Sequence, residues 1–358
     1  MPIRILQFVF LLLLITGTVF TFLVWYLTWR PDAVESDKHT CHPQAEVLKT
    51  GDKIKLMTWN VQYLAGKNYV FWYDLLDGSG KDKRPSTEDI KLTLNEVVKL
   101  IISEKPDIIL LQEVDVGSSR TDSMDQMSVL INKLGEYWKC SAGAFYWKAD
   151  FVPHPKIMGS VGMKLVTLSR FKISSSKRYQ LPLMPGSWVE QQFNIKRAVL
   201  ETVIETDKGS LSVMNTHLDA FAQGNDTMSK QVSFLKALFD ERTEKKIPWL
   251  CGGDFNLLAP GVSYSALGEN QRKYFNPETE LKALTGQYSC IPRISLINSS
   301  DRKKWMTHFP NDPEVKSPDR TIDYIFYSGV SVFKEKVIQA NTEKISDHFP
   351  VVITFSVP

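Results

Sequence analysis

The hydrophobic positions along the chain follow two periods, one typical of α-helices and one typical of β-strands. Residues 87–105 carry apolar side chains at the spacing of one helix face, and residues 123–135 and 227–242 are also predicted to be helices. Short apolar segments predict strands at 54–61, 107–114, 162–171, 198–206, 210–218, 247–253, 320–329, 330–339 and 348–357. Many strands separated by a few helices predict an α/β fold of two packed sheets with helices on the outside.

The first 30 residues are far more hydrophobic than the rest. Residues 5–29 form a stretch of 25 residues without a charge. As a helix this stretch would be about 37 Å long, enough to cross a hydrocarbon core of about 30 Å. Trp25, Tyr26 and Trp29 cluster at one end, as in an interfacial aromatic belt. We predict a single membrane-spanning anchor over residues 1–30; the alternative, a cleaved signal peptide, is disfavoured by the length of the stretch.

The remainder of the chain is predicted to contain one tether and one domain. Residues 31–52 are polar and have no hydrophobic period, which predicts a tether. Residues 53–358 contain no further linker or internal repeat and predict a single domain. A slight bias in Lys and Arg around the anchor predicts that this domain lies outside the cytoplasm.

Composition and charge narrow the functional classes only a little. The chain has 358 residues, of which 43% are hydrophobic and 23% charged, as in an ordinary globular protein. The net charge of +3 permits an anionic substrate but is too small to indicate nucleic acid by itself. Cys41, Cys140, Cys251 and Cys290 lack the paired spacing of a zinc site. A disulfide is possible without its pairing being readable, and Cys251 is expected to be a small buried residue.

Polar residues able to bind a metal or a phosphate recur where predicted strands end. They are Asn60, Glu113, His217, Asp254 and Asp323. Ligands gathered at one edge of packed sheets are a common way for α/β folds to build a site. Each residue taken singly could be an ordinary turn or surface residue, so the prediction depends on the set.

Seven short motifs carry these residues in a fixed order along the chain. They are TWNVQ (58–62), LLQEVD (110–115), LSRF (168–171), MNTHLDAF (214–221), GGDFNLLAP (252–260), RTIDYIFYS (320–328) and ISDHFPV (345–351). In this order they closely resemble the endonuclease/exonuclease/phosphatase superfamily, from residue 53 to the C-terminus. The resemblance implies a four-layer α/β/β/α sandwich of two mixed sheets flanked by helices, and hydrolysis of a phosphoester.

The resemblance also implies a divalent cation and the residues around it. Glu113 matches an acidic metal ligand, Asn60 the neighbouring amide, and Asp347 a further acid close to the metal. Oxygen ligands of this kind suit Mg²⁺ or Mn²⁺.

Further residues match catalytic positions of that superfamily. Asp254 matches the residue that orients or deprotonates the attacking water, and Asn256 one that holds a phosphate oxygen. His348, polarised by Asp323, matches an imidazole that contacts the scissile phosphate. His217 matches a second such histidine.

Two more residues are predicted to bind phosphate. Asn215 lies beside His217 in the matching motif. Arg197 begins a predicted strand and is a candidate phosphate clamp, although a solvated cation at a strand edge is an equal alternative. In-line hydrolysis needs an oriented water and neutralisation of the phosphoryl oxygens, and this set of residues supplies both.

The substrate is less well defined by the sequence. The Trp-Cys-Asp-Arg pattern of inositol polyphosphate 5-phosphatases is missing. The predicted substrate is therefore a nucleic acid or a phospholipid headgroup. The membrane is a second predicted partner, bound through residues 5–29. Aromatic residues in the segments 65–86 and 181–194 could stack on bases, enter a lipid interface or form a small cluster beneath a loop. An inactive, membrane-tethered module that binds phosphate or lipid is the alternative function.

Overall fold

In the computed structural model, which describes residues 3–36, 39–220 and 224–358, the strands form two mixed seven-stranded sheets. The strands are β1 Val34–Glu35, β2 His39–Cys41, β3 Ile54–Asn60, β4 Ile108–Asp115, β5 Cys140–Val152, β6 Gly159–Ser169, β7 Ile173–Gln180, β8 Ala198–Thr206, β9 Gly209–His217, β10 Trp249–Asp254, β11 Ser289–Ile291, β12 Asp323–Ser328, β13 Ser331–Val337 and β14 Val351–Ser356. Sheet I has the order β1-β7-β8-β9-β10-β12-β11, and sheet II the order β13-β14-β3-β4-β6-β5-β2.

The described residues contain the following α-helices, and those that pack on the sheets lie on their outer faces. They are α1 Ile3–Leu27, α2 Thr87–Glu104, α3 Gln126–Leu134, α4 Trp188–Phe193, α5 Thr227–Glu244, α6 Glu269–Arg272, α7 Lys282–Thr285 and α8 Ile294–Ile297. The start of α2 follows directly from its sequence, because the Ser86 hydroxyl accepts a hydrogen bond from the Asp89 backbone N–H. Lys105 adopts a left-handed conformation and Pro106 follows, which ends the helix.

Three hydrophobic cores give the molecule its layers. Leu56 and Leu110 of sheet II pack with Leu200, Val213 and Leu250 of sheet I between the sheets. A second core lies between sheet I and α5, and a third between sheet II and the helices α2 and α3. The predicted four-layer α/β/β/α sandwich is therefore confirmed.

The strands that the sequence analysis did not predict include β5 and β7. β5 buries Cys140, Ala142 and Ala144 on alternate positions. Small residues have low β-propensity, so this alternation does not resemble a strand of β-branched residues. The hairpin predicted between 198–206 and 210–218 is present as the antiparallel pair β8 and β9.

The described part of the predicted tether, residues 31–36 and 39–52, differs from the prediction because it packs against the domain. β1 pairs with β7 and β2 pairs with β5. A disulfide joins Cys41 to Cys140, and Leu48 is fully buried in the core between the sheets. Backbone hydrogen bonds and a covalent link hold this segment, and neither requires the hydrophobic period on which the prediction was based.

Helix α1 stands out because almost all of its apolar side chains are exposed. It is long and apolar enough to cross a membrane, with a mean hydropathy of 2.4 over its most apolar part, and a signal sequence near the N-terminus would meet the same criterion.

Candidate active site

Three adjacent strands of sheet I bring three of the predicted residues side by side. β9 and β10 run parallel with His217 opposite Asp254, and β10 and β12 run antiparallel with Asp254 opposite Asp323. Each residue is the terminal residue of its strand at this edge of the sheet. The strand-end pattern in the sequence therefore corresponds to one row of polar side chains.

The two glycines before Asp254 are required by close packing. A Cβ atom on Gly252 would lie 2.8 Å from Leu110 Cδ1 of the facing sheet. A Cβ atom on Gly253 would lie 2.0 Å from the carbonyl oxygen of Thr216. The sequence GGD thus lets β10 approach both β9 and sheet II, and this approach positions Asp254.

Asp254 lies at the centre of the row and is almost completely buried. Its Oδ2 accepts a hydrogen bond of 3.1 Å from Asn60 Nδ2, and its Oδ1 accepts one of 2.9 Å from the Asn256 backbone N–H. Burial raises the pKa of Asp254 to about 7, although the charge of His348 acts in the opposite direction. A carboxylate with a pKa in this range can accept a proton near neutral pH.

His348 and Asp323 form a buried pair. His348 Nδ1 lies 2.9 Å from Asp323 Oδ2, and His348 Nε2 lies 3.5 Å from Asp254 Oδ2. Burial would lower the pKa of His348, but the charges of Asp323, Asp254 and Asp347 hold it well above its ordinary value. The three carboxylates therefore favour the imidazolium form of His348, whose Nε2 lies next to Asp254.

The surroundings of His217 favour its neutral form, in contrast to those of His348. Its Nε2 lies 3.3 Å from Asp254 Oδ2, and its Nδ1 lies 3.3 Å from the Tyr146 hydroxyl. Burial and the positive charges of Arg197 and His348 lower the pKa of His217 well below its ordinary value. The site thus combines one charged and one neutral imidazole on the two sides of a single carboxylate.

Glu113 and Asp347 supply two further carboxylates to the same cleft. Glu113 adopts φ +57°, an uncommon conformation for a residue other than glycine, at an irregularity in the pairing of β4 with β6. Burial and the charge of Asp347 raise the pKa of Glu113. Burial alone would raise the pKa of Asp347 too, but His348 and His308 lower it to about 2. Glu113 and Asp347 offer carboxylate oxygens, the ligands that a hard divalent cation prefers, and Asp347 also belongs to a group with His308 and His348 that could hold a metal ion.

Asn60 lies behind these acids rather than in the lining of the cleft. Its Nδ2 donates to Glu113 Oε1 at 3.0 Å and to Asp254, while its Oδ1 accepts from the Gln62 backbone N–H. Asn60 therefore contacts both acids, and its place as the amide next to the metal and the phosphate stays a prediction.

Asn256 and Arg197 line the cleft as predicted. Asn256 adopts φ +50°, and its Nδ2 donates to the Leu218 carbonyl. Arg197 is buried, contacts Asp219 Oδ1 through Nε at 3.2 Å and leaves Nη1 without a partner. A buried guanidinium with an unpartnered N–H suits an anionic ligand and excludes the alternative of a solvated cation at a strand edge.

Asn215 does not reach the cleft, contrary to the prediction. Its Nδ2 donates to the carbonyls of Leu111 and Val166, and its Oδ1 accepts from Gln112 Nε2 at 2.7 Å. Asn215 is completely buried and links sheet I to sheet II. Side chains alternate along β9, so Asn215 and His217 share a face, but Asn215 lies one pleat deeper between the sheets.

The cleft encloses a cavity of about 720 Å³. The motif MNTHLDAF contributes His217 and Asp219 to it, whereas its last residue, Phe221, lies outside the described residues. The sequence model of the Endonuclease/Exonuclease/phosphatase family matches residues 57–348, most of the chain. The chain belongs to the endonuclease/exonuclease/phosphatase family. Members of this family generally hydrolyse phosphoester bonds.

Solved structures of other family members have the same fold. An endonuclease/exonuclease/phosphatase from Beutenbergia cavernae DSM 12333 is 19% identical, with a TM-score of 0.57, and the match covers 85% of this chain and 72% of that one. The human Nocturnin catalytic domain with a bound sulfate anion is 18% identical, with a TM-score of 0.54, over 90% of this chain and 97% of that one. TDP2 from Caenorhabditis elegans is 16% identical, with a TM-score of 0.50, over 86% and 75%. At these identities the likeness shows the fold alone.

The sequence analysis missed several residues that line the cleft, among them His308, Asp74 and Arg120. His308 packs its ring 4.4 Å from that of His348 and lies 3.8 Å from Asp347 Oδ2. Asp74 and Arg120 also line the cleft. Asp74 belongs to the segment 65–86, which the sequence analysis noted for its aromatic residues. His308 and Arg120 lie in loop and 3₁₀ segments without a periodic pattern, so no local feature points to them.

Proposed function

We propose that the chain is a divalent-metal-dependent phosphodiesterase anchored to a membrane. The observation that carries this proposal is the arrangement of Asp254 between His217 and the His348–Asp323 pair, with Glu113 and Asp347 in the same cleft. Hydrolysis of a phosphodiester needs a base for water, donors for the phosphoryl oxygens and compensation of negative charge. The three requirements correspond to three separate groups of residues.

In the proposed reaction Asp254 removes a proton from a water molecule whose oxygen forms a new bond to phosphorus. The phosphorus–oxygen bond to the leaving alcohol breaks, and its electron pair remains on the leaving oxygen, which takes up a proton from solvent water. His348, as an imidazolium, donates a hydrogen bond to a phosphoryl oxygen, and Asp323 keeps it charged and oriented. Asn256 and Arg197 are proposed as further phosphate contacts, since both line the cleft.

The carboxylates of Glu113 and Asp347 are the proposed ligands of Mg²⁺ or Mn²⁺. The ion would act as a Lewis acid that reduces the negative charge on the phosphoryl oxygens. Asn60 supports this role by holding Glu113 and Asp254 in fixed orientations.

The proposed location is a membrane, with α1 crossing it and the domain outside the cytoplasm. The exposed apolar surface of α1 supports the crossing. The disulfide between Cys41 and Cys140 supports an oxidising compartment, because cytosolic proteins rarely hold structural disulfides. Cys251 and Cys290 are buried free cysteines, as expected for Cys251.

Hydrolysis of bis-p-nitrophenyl phosphate by the full chain in detergent micelles tests the proposed function. We expect hydrolysis that depends on Mg²⁺ or Mn²⁺ and stops on addition of EDTA. Glu113→Gln should weaken the affinity for Mn²⁺, measured by calorimetry, by at least about tenfold. Glu136→Gln, the same change at an exposed glutamate outside the cleft, is the matched control and should bind Mn²⁺ like the wild type.

The outcomes separate the enzyme from the alternative of an inactive binding module. If the wild type binds Mn²⁺ and a phosphate analogue but hydrolyses no phosphoester, the chain is a binding module. Hydrolysis that persists in EDTA would refute the metal-dependent mechanism.

A further inference from the structure

One wall of the cleft is apolar and differs from the acidic region described above. It is lined by Trp147, Val152, Ile157, Val189, Phe193 and Ile195. These residues come from two chain segments, namely β5 with the loop that follows it, and α4 with the residues that follow it. An apolar wall offers no hydrogen bonds or positive charge to a phosphate group. The wall is therefore suited to an apolar part of the substrate next to the phosphoester.

The same two segments, together with the loop that precedes α4, expose large apolar side chains on the outer surface. We call them the apolar patch, which consists of Phe151, Met158, Leu183, Trp188 and Val189. Met158 is 60% exposed and Trp188 is 53% exposed. Exposed clusters of this kind mark surfaces that contact another apolar phase or partner. Val189 belongs both to the patch and to the cleft wall, so the two are continuous.

Helix α1 ends beside this patch. It contacts β5 and α4, and Thr28 forms a β-bridge with Ala149. The Trp29 ring packs against Phe145 at 6.3 Å, and the Arg178 guanidinium lies 4.8 Å from the centre of the Trp29 ring. The surface of the domain that is nearest to the end of α1 is therefore the surface that carries the apolar patch.

The connection between α1 and the domain is short. A free tether over the 22 positions 31–52 could extend to about 75 Å, at about 3.4 Å per residue, and would leave the domain free to turn. Instead the bridge to Ala149 is made by Thr28, the residue directly after the last residue of α1. Trp25 and Tyr26 are exposed at this end, where an aromatic belt marks the bilayer interface. The apolar patch is thus held at the level of that interface.

The charges in the cleft argue against a polyanionic substrate. Seven acids line it: Asp74, Glu113, Glu190, Asp219, Asp254, Asp312 and Asp347. The lining arginines are Arg120, Arg197 and Arg320, each of which already contacts an acid. Nucleic acids are bound by rows of cations that neutralise several phosphates, and the described lining offers no such row. A single phosphoester attached to an apolar group fits it better.

We infer that the apolar patch rests on the bilayer that α1 crosses, and that the cleft takes the phosphoester headgroup of a lipid in that bilayer. This inference rests on the proposed function. The acids, His217 and His348 act on the phosphoester, and the apolar wall receives the part of the lipid nearest to it. The short connection at Thr28 keeps the opening of the cleft at the surface where this substrate is presented.

Two substrates with the same chromogenic leaving group test this inference on the full chain in phosphatidylcholine vesicles. One is hexadecyl p-nitrophenyl phosphate carried in the vesicles, and the other is bis-p-nitrophenyl phosphate in the surrounding water. The measured quantity is the ratio of the two rates, which does not depend on the fraction of folded enzyme. Trp188→Glu and Met158→Glu should each lower this ratio about tenfold, because a charge is placed where the patch meets the lipid.

Phe333→Glu is the matched control for Trp188→Glu. Phe333 is 53% exposed, as Trp188 is, but lies on β13 away from the patch, so the ratio should stay at the wild-type value. An unchanged ratio in both patch variants would overturn the inference while leaving the phosphodiesterase intact. A higher kcat/KM for a single-stranded oligonucleotide than for the vesicle substrate would also overturn it. If the wild type hydrolyses none of these substrates, it is the proposed function itself that fails.

Discussion

The pair of His348 and Asp323 gives the most direct test of the proposed chemistry. Asp323→Asn removes the negative charge and keeps the shape of the side chain. In the wild type the two carboxylate oxygens lie 3.1 Å and 2.9 Å from His348 Nδ1, and both side chains are almost completely buried. The variant therefore changes one charged hydrogen bond and leaves the packing nearly as it was.

The size of the effect follows from that hydrogen bond. A hydrogen bond to a charged group contributes about 1.5 to 3 kcal/mol. Since about 1.4 kcal/mol corresponds to a tenfold change in rate, kcat/KM should fall about 10-fold to about 150-fold. His348→Ala removes the imidazole that Asp323 supports, so the double variant should be no less active than His348→Ala alone.

The assay is kcat/KM for bis-p-nitrophenyl phosphate at saturating Mg²⁺ for the wild type, the two single variants and the double variant. Asp107→Asn is the control, because Asp107 is also a buried acid with several hydrogen bonds but lies outside the cleft. It should lower the thermal stability and leave kcat/KM of the folded protein unchanged. If the losses from Asp323→Asn and His348→Ala simply multiply, Asp323 does not act through His348 and the reasoning is wrong.

Three further predictions concern stability and the division of roles. Replacing both Cys41 and Cys140 by serine should lower the free energy of unfolding by about 4 to 5 kcal/mol, because the disulfide closes a loop of about 100 residues; equal midpoints in urea would contradict it. Asn215→Leu should lower the free energy of unfolding by at least about 3 kcal/mol, because two buried carbonyls lose their donor. We expect kcat/KM to change by less than about threefold. A larger loss of kcat/KM without a loss of stability would show that Asn215 contacts the phosphate. Burial would raise the pKa of Glu201, but hydrogen bonds from Arg242 and Ser212 lower it. The ionised Glu201 therefore stabilises the folded state above its unfolded pKa of about 4.3, and this stabilisation is lost as the pH falls through its folded pKa. Arg242→Gln should make the free energy of unfolding less dependent on pH below about pH 4, and an unchanged pH dependence in urea titrations would refute this.

Local patterns in the sequence predicted the α/β class, the longer helices and most of the strands, and they placed several of the cleft residues near strand ends. The helical period of the apolar positions predicts α2, and apolar segments that carry His217, Asp254 and Asp323 at or near one end predict strands that bring a site to one edge. These features depend on neighbours in the chain, through backbone conformation and alternation of side chains. The resemblance of the motifs to a known family added the expected roles.

Only the tertiary structure decided which of these residues reach the cleft and which others join them. Asn215 and His217 lie two positions apart, yet one links the two sheets and the other contacts Asp254. Residues 31–52 have no hydrophobic period, but strand pairing and a disulfide to Cys140 hold them against the domain. His308 and Asp74 enter the site from distant loops. Such contacts depend on strand order, register and sheet packing, which join residues far apart in the chain, and no local pattern encodes them.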